Sequence, residues 1–271
     1  MKIAIPLSPA ETTFKLNRAY IDYIAQAGYD PIPIVPQNDA MSVAESCDGL
    51  ILPGGIDIDP IYYGQSNWGS FWADSDKDDF ERQLMWAFVN YAKPIFGICR
   101  GLQLIAREYI KHAGEKQVTP ASNEKIMERL VFGQDIGGHD GPTRFNLFRH
   151  RPHHYVRARE DVLYGLESNK TISLPVNSMH HQYLHVNLSP EILERSNKVT
   201  PHMRATAWTR RGLETEELGI VCEGFILKGW TKSRIACVQW HPEELKDYAL
   251  LHQFFGKSKN FRGPETVRAT A

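Results

Sequence analysis

Apolar positions along the first hundred residues come in short unbroken runs separated by amphipathic stretches. Residues 2–7 predict a strand, and residues 17–27 predict a helix that sets Tyr20, Ile21 and Ile24 on one face and stops at Gly28. Residues 31–35 read as a second strand, followed by a polar turn, a short helix near 41–46 and a third strand over 47–52. This β-α-β-α rhythm predicts a parallel sheet covered by helices on both faces. Helical spacing returns over 80–91 with Leu84, Trp86, Ala87 and Phe88. The acidic run 74–79 before it reads as a solvated cap whose carboxylates complement the helix dipole. The stretch 93–105 reads as an apolar strand that runs into a Gly-flanked cysteine and straight on into a helix expected to end near residue 112. Farther on, 204–208 and 219–226 predict two paired strands with 210–212 as turn, and 234–240 predicts an apolar strand.

Unusual polarity falls where these strands end. The third predicted strand stops at Pro53-Gly54-Gly55, and two glycines there let backbone N–H groups approach a ligand at the sheet edge where open α/β folds bind; an ordinary tight turn has the same composition. The next strand ends in Gly97-Ile98-Cys99-Arg100-Gly101, the shape of a nucleophile elbow, in which a sharp strand-to-helix turn presents a reactive side chain at a helix N-terminus. An unpaired cysteine can equally be a small apolar core residue. Gln103 lies one helical turn beyond Cys99 and faces either the same cavity or solvent. The last strand ends in His241-Pro242-Glu243, which supplies a base and a carboxylate to orient it, with Pro242 fixing the backbone between them. Residues 174–182 add a further polar strand end containing Asn177, His180, His181 and Gln182. The two histidines alternate in an extended chain, so they do not chelate one metal together. The stretch 144–159 is rich in Arg and His, and reads as a solvated strip or an anion site.

Composition narrows the classes. In 271 residues, 31 Lys and Arg balance 32 Asp and Glu, so no global field argues for nucleic acid or a membrane surface. The four cysteines, Cys47, Cys99, Cys222 and Cys237, form no close pairs, which suits a reducing compartment. No signal peptide and no membrane-spanning run is readable, so a cytoplasmic location is expected. No cofactor and no metal is called for. One catalytic domain over residues 1–255 is expected, interrupted by a polar insertion at about 112–130 and followed by a polar tail over 256–271.

Taken together, Pro53-Gly54-Gly55, the Cys99 elbow and Gln239-Trp240-His241-Pro242-Glu243 resemble the class I glutamine amidotransferase superfamily. Residues 54–60, 77–81 and 177–182 resemble its free-standing branch, the γ-glutamyl-γ-aminobutyrate hydrolase-like proteins of peptidase group C26. The resemblance covers most of residues 1–250. It implies a single-domain three-layer α/β sandwich with a mostly parallel central sheet, flavodoxin-like. It also implies a cysteine-dependent hydrolase that cleaves the γ-glutamyl amide of glutamine or a γ-glutamyl amine through a thioester. Cys99 would be the nucleophile, His241 the acid and base, and Glu243 its orienting partner. Backbone N–H groups of Gly55 and Arg100 would form the oxyanion hole. Gly54, Gln103, His180, His181 and Gln182 would hold the small-molecule γ-glutamyl substrate. The alternatives are a glutaminase subunit that hands ammonia to a separate synthase, and a non-catalytic binding protein on the same fold; partners would be such a synthase or further copies of the chain. Two departures from the family pattern stand out. No Gly-Gly turn follows the nucleophile helix, and Lys77 stands where arginine is usual.

Overall fold

A computed structural model describes residues 1–67, 70, 73–116, 130–133, 149–164, 170–180, 182–210 and 220–256, with the backbone alone for 113–116. The chain opens with β1 (Lys2–Pro6), a small hairpin of β2 (Ser8–Ala10) and β3 (Thr13–Lys15), α1 (Arg18–Gln26) and β4 (Asp30–Ile34). It continues through α2 (Ala40–Ser46), β5 (Gly49–Leu52), a 3₁₀ turn at Pro60–Tyr63, α3 (Ser75–Asn90), β6 (Ile95–Ile98) and α4 (Arg100–Lys116). Then come β7 (Leu130–Gly133), β8 (His154–Arg159), α5 (Glu160–Tyr164), β9 (Thr171–Val176), β10 (Tyr183–Val186) and α6 (Pro190–Ser196). The last elements are β11 (Met203–Arg210), β12 (Ile220–Leu227), β13 (Ile235–Val238), α7 (Pro242–Leu245) and α8 (Tyr248–Phe255).

Side-chain oxygens set several helix starts. Asn17 accepts the N–H of Ala19, Asp39 that of Ser42, and Asp74 those of Asp76 and Lys77. Each occupies an N-cap position, where a short polar side chain satisfies an orphan backbone donor. Because Asp74 is the cap, α3 begins at Ser75. The acidic run expected to precede the helix therefore lies within its first turns.

Strands β4-β1-β5-β6-β13 pair in parallel in that spatial order. In chain order of these five strands the arrangement is 2-1-3-4-5, the doubly wound order of flavodoxin-like sheets. Beyond β13 the sheet continues antiparallel through β12, β11, β8 and β9, while β10 and β7 extend it alongside β12. One face packs Val43 and Ala44 of α2, Leu84 and Phe88 of α3, and Leu104 and Ile105 of α4 against Leu50, Leu52 and Ile95. The other packs Tyr20, Tyr23 and Ile24 of α1 and Leu251 and Phe254 of α8 against Ile3, Ile5, Ile51 and Phe96. The inner strands β1, β5, β6 and β13 are thus buried on both faces, which is why they read as continuous apolar runs.

The basic stretch falls partly on β8, where Tyr155, Arg157 and Arg159 alternate with buried Val156 and Ala158. Arg157 pairs with Glu194 and Arg159 with Asp161. Residues 144–148 of that stretch, His181 and the tail from 257 lie outside the described residues, as do 117–129 of the expected insertion. Helix α4 runs to Lys116, past the expected end near 112. All four cysteines are free. Among the described residues, no helix is long and apolar enough to cross a membrane.

Candidate active site

Three neighbouring parallel strands deliver three polar groups to one sheet edge. β5 ends just before Gly54-Gly55, β6 just before Cys99, and β13 three residues before His241, with Leu52 opposite Gly97 and Ile98 opposite Val238. The carboxyl end of such strands is where open α/β sheets place their chemistry.

Cys99 adopts a left-handed backbone conformation, φ 53°, its N–H donating to Val238 O (2.8 Å) while its own carbonyl accepts Leu102 N–H and Gln103 N–H. A non-glycine residue held there stores local strain that surrounding packing must hold in place. Here the packing is tight. A Cβ on Gly101 would sit 2.2 Å from the Leu52 carbonyl oxygen, so only glycine lets α4 start this close to β5. The elbow thus fixes the sulfur at the first turn of α4.

His241 reaches the same point from β13. Its Nδ1 lies 2.6 Å from Glu243 Oε1, and both side chains are buried. Burial alone would lower the His241 pKa, but the charges of Glu243 and of Cys99 outweigh it and push it up to about 10. The imidazolium is therefore the stable form of the ring at neutral pH. Asn177 holds the histidine by its backbone: its Oδ1 accepts His241 N–H (2.9 Å) and its Nδ2 donates to His241 O (3.1 Å).

Tyr20 of α1 completes the cluster. Its hydroxyl accepts Gly54 N–H at 2.8 Å and lies 3.3 Å from His241 Nδ1. Burial, then the charges of Glu243 and Cys99, raise its pKa well above the ordinary phenol value, so it stays neutral. A Cβ on Gly54 would lie 2.7 Å from His241 Cε1 and 2.9 Å from this hydroxyl, so the glycine is needed for the tyrosine, histidine and cysteine to converge. Sequence spacing marked Tyr20 only as one of a buried helix face.

A cavity of about 330 Å³ opens over Cys99, bounded by Gly54, Gly55, Tyr20 and His241, with Lys15 and Arg149 among its cationic lining. Arg149 is also paired with Glu244 (2.8 Å), which Asn17 holds from the other side.

The expected residues divide into two groups. Cys99, His241, Gly54 and Gly55 line the cavity, and Glu243 contacts His241. Gln103, His180 and Gln182 do not line it; they bond one another and the adjoining loop. Gln103 Nε2 donates to Gln182 O (2.9 Å), and His180 Nδ1 lies 2.9 Å from the same carbonyl. Gln182 pins the 57–70 loop, accepting Ile58 N–H and donating to Ile58 O, Tyr63 Oη and Ser70 Oγ.

Behind the elbow lies a buried charge cluster. The Arg100 guanidinium pairs with Asp78 and Glu81, and Lys77 pairs with Glu81, all four side chains being nearly inaccessible. The solvated-cap expectation, made for most of the acidic run, holds for exposed Asp76 and for Asp74 and Asp79 but fails at Asp78, which is 1% exposed because Arg100 and Lys77 bring two positive charges to meet two negative ones. Asp78 also accepts Asp59 N–H, tying the loop after Gly55 to this cluster. Among the described residues, no group of three or more His, Cys, Asp or Glu side chains is placed to hold a metal ion.

A parallel sheet in 2-1-3-4-5 order covered by helices on both faces is the arrangement of the class I glutamine amidotransferase fold. Solved structures agree on that fold. A protein of Thermoplasma acidophilum described as one of the subunits of GMP synthase superposes with a TM-score of 0.57 at 16% identity, covering 94% of this chain and 92% of that one. The glutaminase domain of Trypanosoma brucei CTPS gives 0.56 at 14% identity, covering 97% and 96%. The family model for peptidase C26 matches residues 8–243, so the chain belongs to the peptidase C26 family and is a hydrolase of glutamine amidotransferase-like type. A protein of Rickettsia prowazekii described as glutamine amidotransferase-like is 25% identical over 89% of this chain and 87% of its own length. The γ-glutamyl-γ-aminobutyrate hydrolase of Escherichia coli K12 is 26% identical over 90% of this chain and 84% of its own.

Proposed function

We propose that this protein hydrolyses γ-glutamyl amides through a thioester on Cys99. The observation that carries the reading is the convergence of Cys99 in its left-handed turn with His241 and Glu243, 2.6 Å apart, on adjacent strand ends above one cavity. The Cys99 sulfur attacks the γ-carbonyl carbon, a C–S bond forms and the C–N bond breaks, and His241 gives its proton to the departing amine. Water then attacks the thioester, His241 takes the proton, and the C–S bond breaks to release glutamate. Glu243 keeps the ring oriented and offsets its charge. The N–H groups of Gly55 and Arg100 receive the carbonyl oxygen as it becomes anionic. Lys15 and Arg149 at the mouth suit the carboxylate of the glutamyl group. In this reading Gln103, His180 and Gln182 hold the cavity wall and the 57–70 loop, and so shape the substrate site through it.

The test is glutamate release from glutamine and from a panel of γ-glutamyl amines, with Cys99→Ala as control. Turnover of the free-standing chain that disappears in Cys99→Ala, together with trapping of a γ-glutamyl thioester at Cys99 in acid-quenched samples, is expected. Turnover that survives Cys99→Ala would sink the assignment. Turnover of glutamine that needs an added synthase would point to the ammonia-donating alternative.

A further inference from the structure

A second cavity, of about 430 Å³, lies away from Cys99, between the sheet and helices α5 and α8. Its size is that of a small-molecule site, which commonly spans about 300–1,000 Å³. Its wall is mostly apolar and includes Phe96, Leu163, Ile226, Ala236, Leu250 and Phe254. Two polar features break that surface. The first is Thr206, at the irregularity where β11 slips register against β12 between Ala205 and Ala207. The residue is 2% exposed and lines the cavity, and its buried hydroxyl has no hydrogen-bond partner. It occupies space that a Cβ on Gly224 would take, at 2.6 Å, so the sheet makes room for a hydroxyl it does not satisfy. Leaving a buried hydroxyl unpaired is unfavourable, and a ligand's polar atom would remove that penalty.

The second feature is charge. Arg234 is exposed, with its guanidinium over the Phe254 ring and donating to Gln253 O (3.5 Å); it pairs with no carboxylate among the described residues, and Lys228 shares the same lining. Asp161 also lines the cavity, but it is engaged by Arg159 at 3.1 Å. The lining thus offers uncompensated positive charge beside an apolar hollow with an unsatisfied hydroxyl. We infer that this cavity binds a straight-chain aliphatic monocarboxylate, with the alkyl chain against Phe96, Leu163 and Leu250 and the carboxylate held by Arg234. The inference does not depend on the chemistry at Cys99.

Calorimetric titration of the full chain with hexanoate, octanoate, decanoate and dodecanoate, below their micelle concentrations, tests it; the matching n-alkanols and alkylammonium ions serve as comparison. One saturable site is expected, with affinity rising about three- to fourfold per methylene as each is buried. Carboxylates should bind at least tenfold more tightly than alkylammonium ions of equal length. Arg234→Gln should erase that preference while leaving alkanol binding in place, and Ala236→Leu should weaken all three classes. Because Arg234 is exposed, its variant is expected to fold, and its far-ultraviolet circular dichroism provides the check. No saturable binding, equal affinity for carboxylate and ammonium, or a preference that survives Arg234→Gln would each overturn the assignment. So would sedimentation showing a dimer that the carboxylates dissociate, since the cavity's occupant would then be a second copy of the chain.

Discussion

Cys99 and His241 are placed by their own strands, but Tyr20 belongs to a helix more than seventy residues before either and touches both sides of the site. Its hydroxyl takes the Gly54 N–H at 2.8 Å and sits 3.3 Å from His241 Nδ1. Under the proposed reaction it is a positioning residue: it turns the Gly54-Gly55 peptide and confines the imidazole. Tyr20→Phe removes only the hydroxyl, so the ring packing of α1 is kept. A kcat reduction of roughly 10- to 100-fold is expected, the scale of one lost hydrogen bond in a charged site, with little change in KM and a displaced alkaline limb of the pH–kcat profile. Unchanged kcat with a raised KM would assign the hydroxyl to substrate binding instead. At this scale the sequence was informative where a polar residue interrupts an apolar strand end, as Cys99 and His241 do. Tyr20 gave no such signal, because its spacing with Ile24 is that of an ordinary buried helix face. Gln103 was legible only as one turn beyond Cys99, facing either the cavity or solvent, and its partner, Gln182 O, comes from a segment whose approach depends on the fold of the antiparallel half.

Among the elements, the N-terminus of α3 and the start of α4 form one unit through Lys77, Asp78, Glu81 and Arg100. Burial alone would raise the Glu81 pKa, yet Arg100 and Lys77 outweigh it and hold the carboxyl below its ordinary range. The acidic run before α3 was plain in the sequence, but its destination was not, since the compensating guanidinium lies on another helix. Arg100→Met removes that guanidinium and leaves Asp78 and Glu81 with only Lys77. A loss of about 3–5 kcal/mol in unfolding free energy is expected, as for other broken buried pairs, read from urea denaturation at pH 7. A loss under about 1 kcal/mol would mean that the cluster is hydrated in solution. Gly101→Ala addresses the same junction sterically. The new Cβ would meet the Leu52 carbonyl oxygen at 2.2 Å, a backbone atom that cannot rotate away. A destabilisation of about 1–3 kcal/mol, typical of overpacking, should appear in the same assay. The strand-to-helix alternation itself was readable because β1, β5, β6 and β13 are buried on both faces and carry almost uninterrupted apolar sequence, while β4 lies at the sheet edge.

At the level of the whole molecule, the site is built inside the sheet's parallel half, so its ionisation is coupled to global stability. His241 titrates near 10 when folded and near 6.5 when exposed. Its pKa is raised on folding, so the folded state holds its proton more tightly. That contribution is fully present below pH 6.5, declines as the unfolded chain gives up its proton, and is lost as pH passes about 10. Glu243 and Cys99 are the groups that oppose the effect of burial, so removing the Glu243 charge should remove much of the contribution. The difference in unfolding free energy between the wild type and Glu243→Gln is therefore expected to be largest at pH 6 and to shrink steadily toward pH 10.5, as measured by denaturant titration at half-unit intervals. Taking the difference cancels the tyrosines and lysines that titrate at the alkaline end in both proteins. A difference that stays flat across this range would mean that His241 is neutral in the resting protein. One that grows with pH would mean that the ring is held in its uncharged form by burial, and the proton for the leaving amine would then have to come from another group.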